Sequence, residues 1–382
     1  MARKILYLVS EDWYFVSHRL PMARAAQAAG YEVHVATHID DCADQILRQG
    51  FLLHPIHWRR GNMNPVRLLT AALETRRIYR EVNPDLIHHV ALVPSLIGSL
   101  AALGLSPPRI NALAGLGFAF TSDTAKARAV RPLANVLLGW LLRRPNTTVL
   151  VQNPDDYAVV ANLAVPKKDI ALIPGSGVDV ELLMPMPEPA GTFTVAFVGR
   201  LLDDKGVRTL VRAHEMLAQR GITIRTLLAG EPDPSNPASI PEHVLAGWRR
   251  IPGLELLGHV EDIRSVWAQA HVAVLPSRRE GLPKSLLEAA ACGRALIATD
   301  VPGCREITRN GINGVLVPPD DAGALANAIE SLMNDGALRA QFAGASRKIA
   351  VSEYSNERVA TEVTNLYSRL LEHASSSKLG RD

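Results

Sequence analysis

The sequence is short of most features that would settle a function class at once. It has three cysteines in 382 residues, Cys42, Cys292 and Cys304. Their spacing makes neither a disulfide framework nor a metal-ligand pair, which points to a reducing compartment. Neither sign of charge dominates: 41 Lys and Arg stand against 38 Asp and Glu, a net charge of +3. A dedicated nucleic-acid binder is therefore disfavoured, and local clustering of charge matters more than the total. No uninterrupted run of about 18 apolar residues occurs, so no transmembrane helix is expected. The longest candidate, 90–105, contains Pro94 and Gly98 and reads as a buried helix. The opening "MARKILYLVS" is too briefly apolar, and lacks the small-residue cleavage site, for a signal peptide; it reads as a first buried strand. Two phosphate-binding signatures are also missing. Without GxxxxGK[ST] a P-loop NTPase is disfavoured, and without GxGxxG after the first strand a nicotinamide dehydrogenase loses its best support.

What is present is alternation. Short β-branched runs ("KILYLVS", "YEVHVAT", "DLIHHV", "RINAL", "TVLVQN") alternate with helical patterns such as "RLPMARAAQAAG", which ends at Gly30. A second series begins at "FTVAFVGRL" and continues through "ITIRTLLAG", "LELLGHV", "VAVLPS", "RALIATD" and "GVLVPP". The length favours two domains, and the pattern predicts two Rossmann-like α/β domains whose parallel sheets face each other across a cleft. The expected boundaries are 1–183 for the first domain, 184–191 ("MPMPEPAG") for a linker and 192–355 for the second domain. A last amphipathic helix, about 356–373, packs back on the first domain in this reading, and 374–382 is a disordered tail.

The chemistry should sit on loops after the strands. "GRLLDDKG", residues 199–206, follows a strand: Gly199 permits a tight turn, and Arg200 and Lys205 suit a diphosphate as a planar fork and a point charge. A solvated loop with incidental charges fits the same residues. In "SRREGLPKSLLEAAACG", Pro283 suits the first turn of a helix. This leaves Glu280 and Gly281 on the loop and Glu288 in the second turn. The helix N-terminus offers free N–H groups to a phosphate, and the two carboxylates suit paired hydroxyls. Two ordinary helix-start acids are the competing reading.

The run "SRREGLPKSLLEAAACGRALIATDVPGCREI" resembles the donor-site signature of retaining glycosyltransferases of family 4, in which two glutamates flank seven residues, here Glu280 and Glu288. "GRLLDDKG" resembles the phosphate-binding Arg and Lys of that family, "LIPGSGVD" (172–179) its "PNGVD" turn, and "GINGVLVPPDD" its closing strand. The resemblance covers most of 190–335 at motif level and the whole chain more loosely. It implies the GT-B fold and a UDP-sugar donor held by Gly199, Arg200, Lys205, Glu280, Gly281, Leu282, Pro283, Lys284 and Glu288. Glu288 would bind the ribose, Glu280 would contact the transferred sugar, and Arg200 and Lys205 would stabilise the leaving diphosphate. With no DxD-type motif evident, catalysis without metal or other cofactor is expected.

The first domain should take the acceptor. "DLIHHV" resembles the "D-V-V-H-x-H" strand end of the family: His88 matches the first histidine, the second falls on Val90, and His89 would face the opposite side of the strand. A structural role for His88 is the alternative. Ser17, His18 and Arg19 open a helix in this reading and could meet a phosphate there, or Ser17 simply caps it. "NALAGLGFAFTS" supplies Gly115, Gly117 and Phe118 as a candidate acceptor loop. Residues 126–145 carry Lys126, Arg128, Arg131, Arg143 and Arg144 around an apolar centre with Trp140, and no acid occurs from 124 to 154. That composition reads as a membrane-surface element or as a core helix with basic ends. The expectation is a transferase acting on a polyprenyl-diphosphate-linked glycan at an anionic membrane surface on the cytoplasmic side, with a hexosamine such as N-acetylgalactosamine as the sugar. A soluble acceptor, a GT-B sugar-nucleotide epimerase and a non-catalytic nucleotide-sugar binder are the rivals.

Overall fold

A computed structural model of the chain describes residues 2–59, 64–113, 136–234 and 236–379. The chain divides into two compact units, 1–177 with 356–382, and 178–355.

The first unit runs β1 (Lys4–Glu11), α1 (Asp12–His18), α2 (Leu20–Ala28), β2 (Glu32–His38), α3 (Ala43–Leu47), β3 (Leu52–Pro55), α4 (Pro65–Val82), β4 (Leu86–Val90) and α5 (Leu92–Ala101). It continues with β5 (Arg109–Leu113), α6 (136–142), β6 (Thr147–Val151), α7 (Pro154–Asn162) and β7 (Ile170–Leu172). Its sheet has the order β3-β2-β1-β4-β5-β6-β7, and every pairing is parallel. Strands buried on both faces explain the near-continuous apolar runs of the sequence.

The second unit runs β8 (Thr194–Val198), α8 (Val207–Gln219), β9 (Arg225–Ala229), α9 (Glu242–Trp248), β10 (Leu254–Gly258), α10 (Arg264–Trp267) and β11 (Val272–Leu275). Then come α11 (Lys284–Ala291), β12 (Ala295–Thr299), α12 (Cys304–Ile307), β13 (Gly314–Val317), α13 (Ala322–Asn334) and α14 (Gly336–Tyr354). Its parallel sheet has the order β10-β9-β8-β11-β12-β13. In each sheet the chain winds outward from its first strand and then returns to that strand's other side. The switch points are β1/β4 and β8/β11, where doubly wound sheets open a crevice at the strand ends.

The last helix, α15 (Asn356–Leu379), belongs to the first unit. Val359, Val363, Leu366, Tyr367 and Leu371, at helical spacing, join the core formed by Tyr7, Met22 and Leu86. The helix runs past the 373 expected from the sequence. Ser375 returns a hydrogen bond of 2.9 Å to the Leu371 carbonyl, the i→i−4 bond that lets serine stay helical. The proline-rich stretch 184–191 is tied to the second unit: Arg294 donates to the Met186 and Pro187 carbonyls, both at 3.0 Å, and Arg339 binds Glu188 at 2.6 and 3.0 Å. The chain therefore passes between the units at Gly177–Val178 and again at Ser355–Asn356.

Candidate active site

The second unit's switch point is assembled by a backbone contact. Gly206 closes the short "DDK" turn in the left-handed region at φ +68°, and a Cβ there would lie 1.9 Å from the Pro276 carbonyl oxygen. Only glycine allows the turn after β8 to rest directly on the loop after β11. That contact brings Lys205 to Glu280: its Nζ donates to Glu280 Oε1 at 2.6 Å, and Ser277 Oγ donates to the same oxygen at 2.7 Å. The Ser277 carbonyl in turn accepts from the Thr299 hydroxyl. Further ties join the two loops, Arg278 N–H to the Asp204 carbonyl at 2.9 Å and Arg279 to the Asp204 carboxylate at 2.8 Å. The Glu280 side chain is 9% exposed and that of Lys205 24%, so this ion pair is largely withdrawn from water.

Four residues beyond Glu280, Lys284 starts α11. Pro283 is the N-cap, not a residue of the first turn as the sequence suggested; it is extended (φ −74°, ψ 114°) and, among the described residues, no side chain caps the helix start. Such an end favours an anion. Glu288 lies in the second turn, its side chain 15% exposed and 3.6 Å from Lys284 Nζ. Burial pushes its carboxyl above the usual range, with Lys284 opposing. Arg200, half exposed, pairs with Asp233 at 2.6 Å. Gly199, Gly281 and Leu282 complete the backbone between these groups. Both expected phosphate cations thus carry a carboxylate partner. The two buried cysteines nearby are poor nucleophiles: burial first, then the neighbouring glutamates, pushes the Cys292 thiol up to about 11 and Cys304 well above its ordinary value.

In the first unit, the histidines of β4 separate as their alternation requires. His88 faces α15: its Nδ1 lies 2.6 Å from the Tyr367 hydroxyl, which is 2.9 Å from the Tyr7 hydroxyl. Burial, helped by Arg19 and His89, pushes His88 well below the ordinary imidazole range. His89 faces α5, where Nδ1 donates to Asn111 Oδ1 at 2.6 Å and Nε2 accepts from Tyr79 at 2.9 Å. Its ring lies where a Cβ of Gly98 would be, 2.3 Å from Nε2, so α5 must carry glycine there. Sequence reasoning missed Tyr367, since nothing in a C-terminal amphipathic helix signals that one tyrosine reaches a buried histidine.

Ser17 and His18 do not open a helix. They close α1, which already begins at Asp12, and Pro21 enforces the break before α2. His18 stacks on Tyr14 at 4.2 Å between ring centroids. Arg19, between the two helices, is 1% exposed, and among the described residues its guanidinium reaches the His18 and Gly175 carbonyls and the Met22 sulfur, at 3.4 to 3.8 Å. No carboxylate faces it among the described residues. Gly115, Gly117, Phe118, Lys126, Arg128 and Arg131 lie outside the described residues. Arg143, Arg144 and Trp140 are described: α6 buries Leu138, Leu141 and Leu142 and exposes Trp140, with the Arg144 guanidinium 4.9 Å over its ring. Among the described residues no helix is long and apolar enough to cross a membrane, and no group of three metal-binding side chains occurs.

Two Rossmann-like parallel sheets, the second bearing ion-paired cations and an uncapped helix start at its switch point, define a GT-B protein. The sucrose-phosphate synthase of Thermosynechococcus elongatus shares this fold with a TM-score of 0.82 at 22% identity over 97% of this chain and 100% of that one. Anabaena HepE, solved in complex with UDP, does so with a TM-score of 0.78 at 19% identity over 96% and 100% of the two chains. Residues 192–335 match the family model "Glycosyl transferases group 1" and residues 4–153 match "Glycosyl transferase 4-like", together more than half the chain; the protein belongs to this glycosyltransferase family. Among curated relatives, the N,N'-diacetylbacillosaminyl-diphospho-undecaprenol alpha-1,3-N-acetylgalactosaminyltransferase of Campylobacter jejuni is 26% identical over 93% of this chain and 96% of its own.

Proposed function

We propose that the protein is a retaining, metal-independent glycosyltransferase. It moves a hexosamine, N-acetylgalactosamine or N-acetylglucosamine, from a UDP-sugar to a polyprenyl-diphosphate-linked glycan at the cytoplasmic face of a bacterial membrane, in the synthesis of a surface polysaccharide or glycoprotein oligosaccharide. The observation that carries the donor half is the largely buried Glu280 carboxylate, bound by Lys205 and Ser277, beside the uncapped start of α11. When the donor arrives, its diphosphate takes over Lys205 and Arg200 and the N–H groups around Gly281 to Lys284. Glu280 is released toward the hydroxyls of the transferred sugar, and Glu288 accepts from the ribose. As the glycosidic bond breaks, charge grows on the β-phosphate between two fixed cations and a helix start, so that no metal is needed for this role. The acceptor half rests on the Campylobacter relative, whose name records a diphospho-undecaprenol acceptor. It also rests on His88 and Arg19 at the other switch point and on the basic, Trp140-bearing segment that would lie against an anionic membrane.

The test is turnover with a panel of UDP-hexosamines and short-chain polyprenyl-diphosphate glycans in EDTA, with the anomeric configuration of the product read by NMR. The reading expects an α-linked product from an α-linked donor, undiminished by the chelator. Transfer only to soluble sugars, or dependence on added metal, would overturn the acceptor or the metal-free part respectively.

A further inference from the structure

Arg200 is held by a carboxylate from outside its own loop. Asp233 belongs to "EPDPSNPAS", residues 231–239, in the segment that follows β9. This segment is laid along the turn after β8. The Leu201 N–H donates to the Glu231 carbonyl at 2.9 Å, the Asp203 N–H to the Ala238 carbonyl at 2.8 Å, and the Ile240 N–H to the Leu201 carbonyl at 2.9 Å. Gly230 precedes it at φ +139°, where a Cβ would lie 2.0 Å from the Gly199 carbonyl oxygen, so only glycine lets the two turns approach this closely. The acids nearest Arg200 in sequence serve other cations: Asp203 binds Arg208 at 2.5 Å and Asp204 binds Arg279 at 2.8 Å.

The backbone of Asp233 is fixed from both sides. Pro232 locks the residue before it, and Pro234 narrows the conformations open to Asp233 itself. Its N–H donates to Ser239 Oγ at 2.9 Å, and its carbonyl accepts from the Asn236 N–H at 2.9 Å. The Asp233 side chain is 14% exposed and that of Arg200 42%. The acid is the fixed member of the pair, and the arginine is the one open to solvent. Arg200 gives it one terminal nitrogen, Nη1, at 2.6 Å. Its Nε and Nη2 have no hydrogen-bond partner among the described residues. The guanidinium can therefore take a phosphate while Asp233 stays beside it, and the two anions then repel each other.

We propose that Asp233 is a built-in counter-anion that speeds release of the nucleoside diphosphate product. This inference rests on the proposed UDP-sugar reaction and adds to it a residue which that reading does not use. When the glycosidic bond breaks, its electron pair stays on the β-phosphate oxygen. A phosphate ester with one charge becomes a terminal phosphate, whose second ionisation lies at about pH 6. Above that pH the product carries about one more negative charge than the donor. A carboxylate fixed beside the phosphate-binding arginine therefore opposes product more than donor. Glu280, the partner of Lys205, turns to the sugar in the proposed reaction. Asp233, held in its loop, stays beside Arg200 and reclaims it as UDP leaves. It acts through Arg200 and is not itself a catalytic residue.

The experiment is calorimetric titration of the full chain with UDP, UDP-N-acetylgalactosamine and UDP-N-acetylglucosamine at about pH 7.5, above the phosphate ionisation. The UDP-sugar that binds wild type more tightly serves as the donor. Wild type is compared with Asp233→Asn, which keeps an acceptor oxygen and loses the charge, with Asp233→Ala and with Arg200→Gln. Circular dichroism checks the fold, and the decisive quantity is the ratio of UDP to UDP-sugar affinity. A ratio that rises about fivefold in the Asp233 variants, the scale of one partly exposed charge pair, supports the inference. UDP dissociation measured by stopped flow should slow by the same factor. Either Asp233 variant decides if the other fails to fold. An unchanged ratio overturns the inference and leaves the donor reading standing. So does wild-type binding in Asp233→Asn with equal loss of both ligands in Asp233→Ala, toward the level of Arg200→Gln, which would make Asp233 a brace for the arginine only. Failure of wild type to bind any uridine nucleotide overturns the donor reading and this inference with it.

Discussion

Replacing Lys205 with methionine would separate two roles proposed for that side chain, neutralising Glu280 and binding the donor diphosphate. At the 2.6 Å separation found between Lys205 Nζ and Glu280 Oε1, the gross attraction at an effective dielectric of about 20 is about 6 kcal/mol. Most of this offsets desolvation. Removing one partner of a fully buried pair costs about 3–5 kcal/mol, and because Lys205 keeps a quarter of its exposure about 2 kcal/mol is expected here. For a unit of this size (178–355) that lowers Tm by about 4–8 °C. The double variant Lys205→Met/Glu280→Gln removes the stranded carboxylate and should recover most of the loss, because the pair is coupled. Ligand binding should not recover. At about a hundred times its Kd, UDP stabilises wild type by about 2.7 kcal/mol. A tenfold weaker site at the same concentration gives about 1.4 kcal/mol, and both variants should show this smaller shift. Scanning calorimetry with and without UDP measures all four quantities. A double variant with full UDP stabilisation would refute the phosphate role of Lys205, and a single variant as stable as wild type would refute the estimate of the buried pair.

Three other perturbations follow from the same geometry. Glu288→Gln should raise Tm at pH 7, because burial raises the Glu288 carboxyl in the folded protein. The stability tied to its protonated form is complete below about pH 4, the unfolded value, and is lost as pH rises through the raised folded value. The same variant should weaken UDP binding, and a variant both less stable and fully able to bind would contradict both halves. Tyr367→Phe removes the hydroxyl shared at 2.6 Å with His88 and 2.9 Å with Tyr7, at an expected cost of about 1–3 kcal/mol in urea unfolding; an unchanged midpoint would argue against those contacts. His89 is held neutral with a pKa lowered to about 4, chiefly by burial. Its unfolded form takes up a proton first, so stability present above pH 6.5 should fall by about 3 kcal/mol on acidification to pH 4. A urea series across that range in wild type and His89→Gln should show a shallower decline in the variant.

Much of this protein follows from local chemistry. Alternating β-branched runs and helical patterns determined two parallel α/β sheets, since only strands buried on both faces read as unbroken apolar stretches. The "GRLLDDKG" and "EGLPKSLLE" loops could be placed because turn glycines, a helix-start proline and spaced carboxylates act within a few residues of one another. Strand β3 is four residues long, lies at the sheet edge and is only partly buried, so it leaves too little pattern to recognise. The proline-rich stretch 184–191 looks like a linker by composition, yet Arg294 and Arg339, about 100 and 150 residues later, bind it to the second unit. Charges offered by the sequence as free cations are also paired across long separations, Lys205 with Glu280 and Arg200 with Asp233. Tyr367 meets His88 across 279 residues. In sequence a lysine or a tyrosine states only what it could donate; which acceptor it meets depends on how the strands are ordered, and that order is set by the packing of the whole sheet.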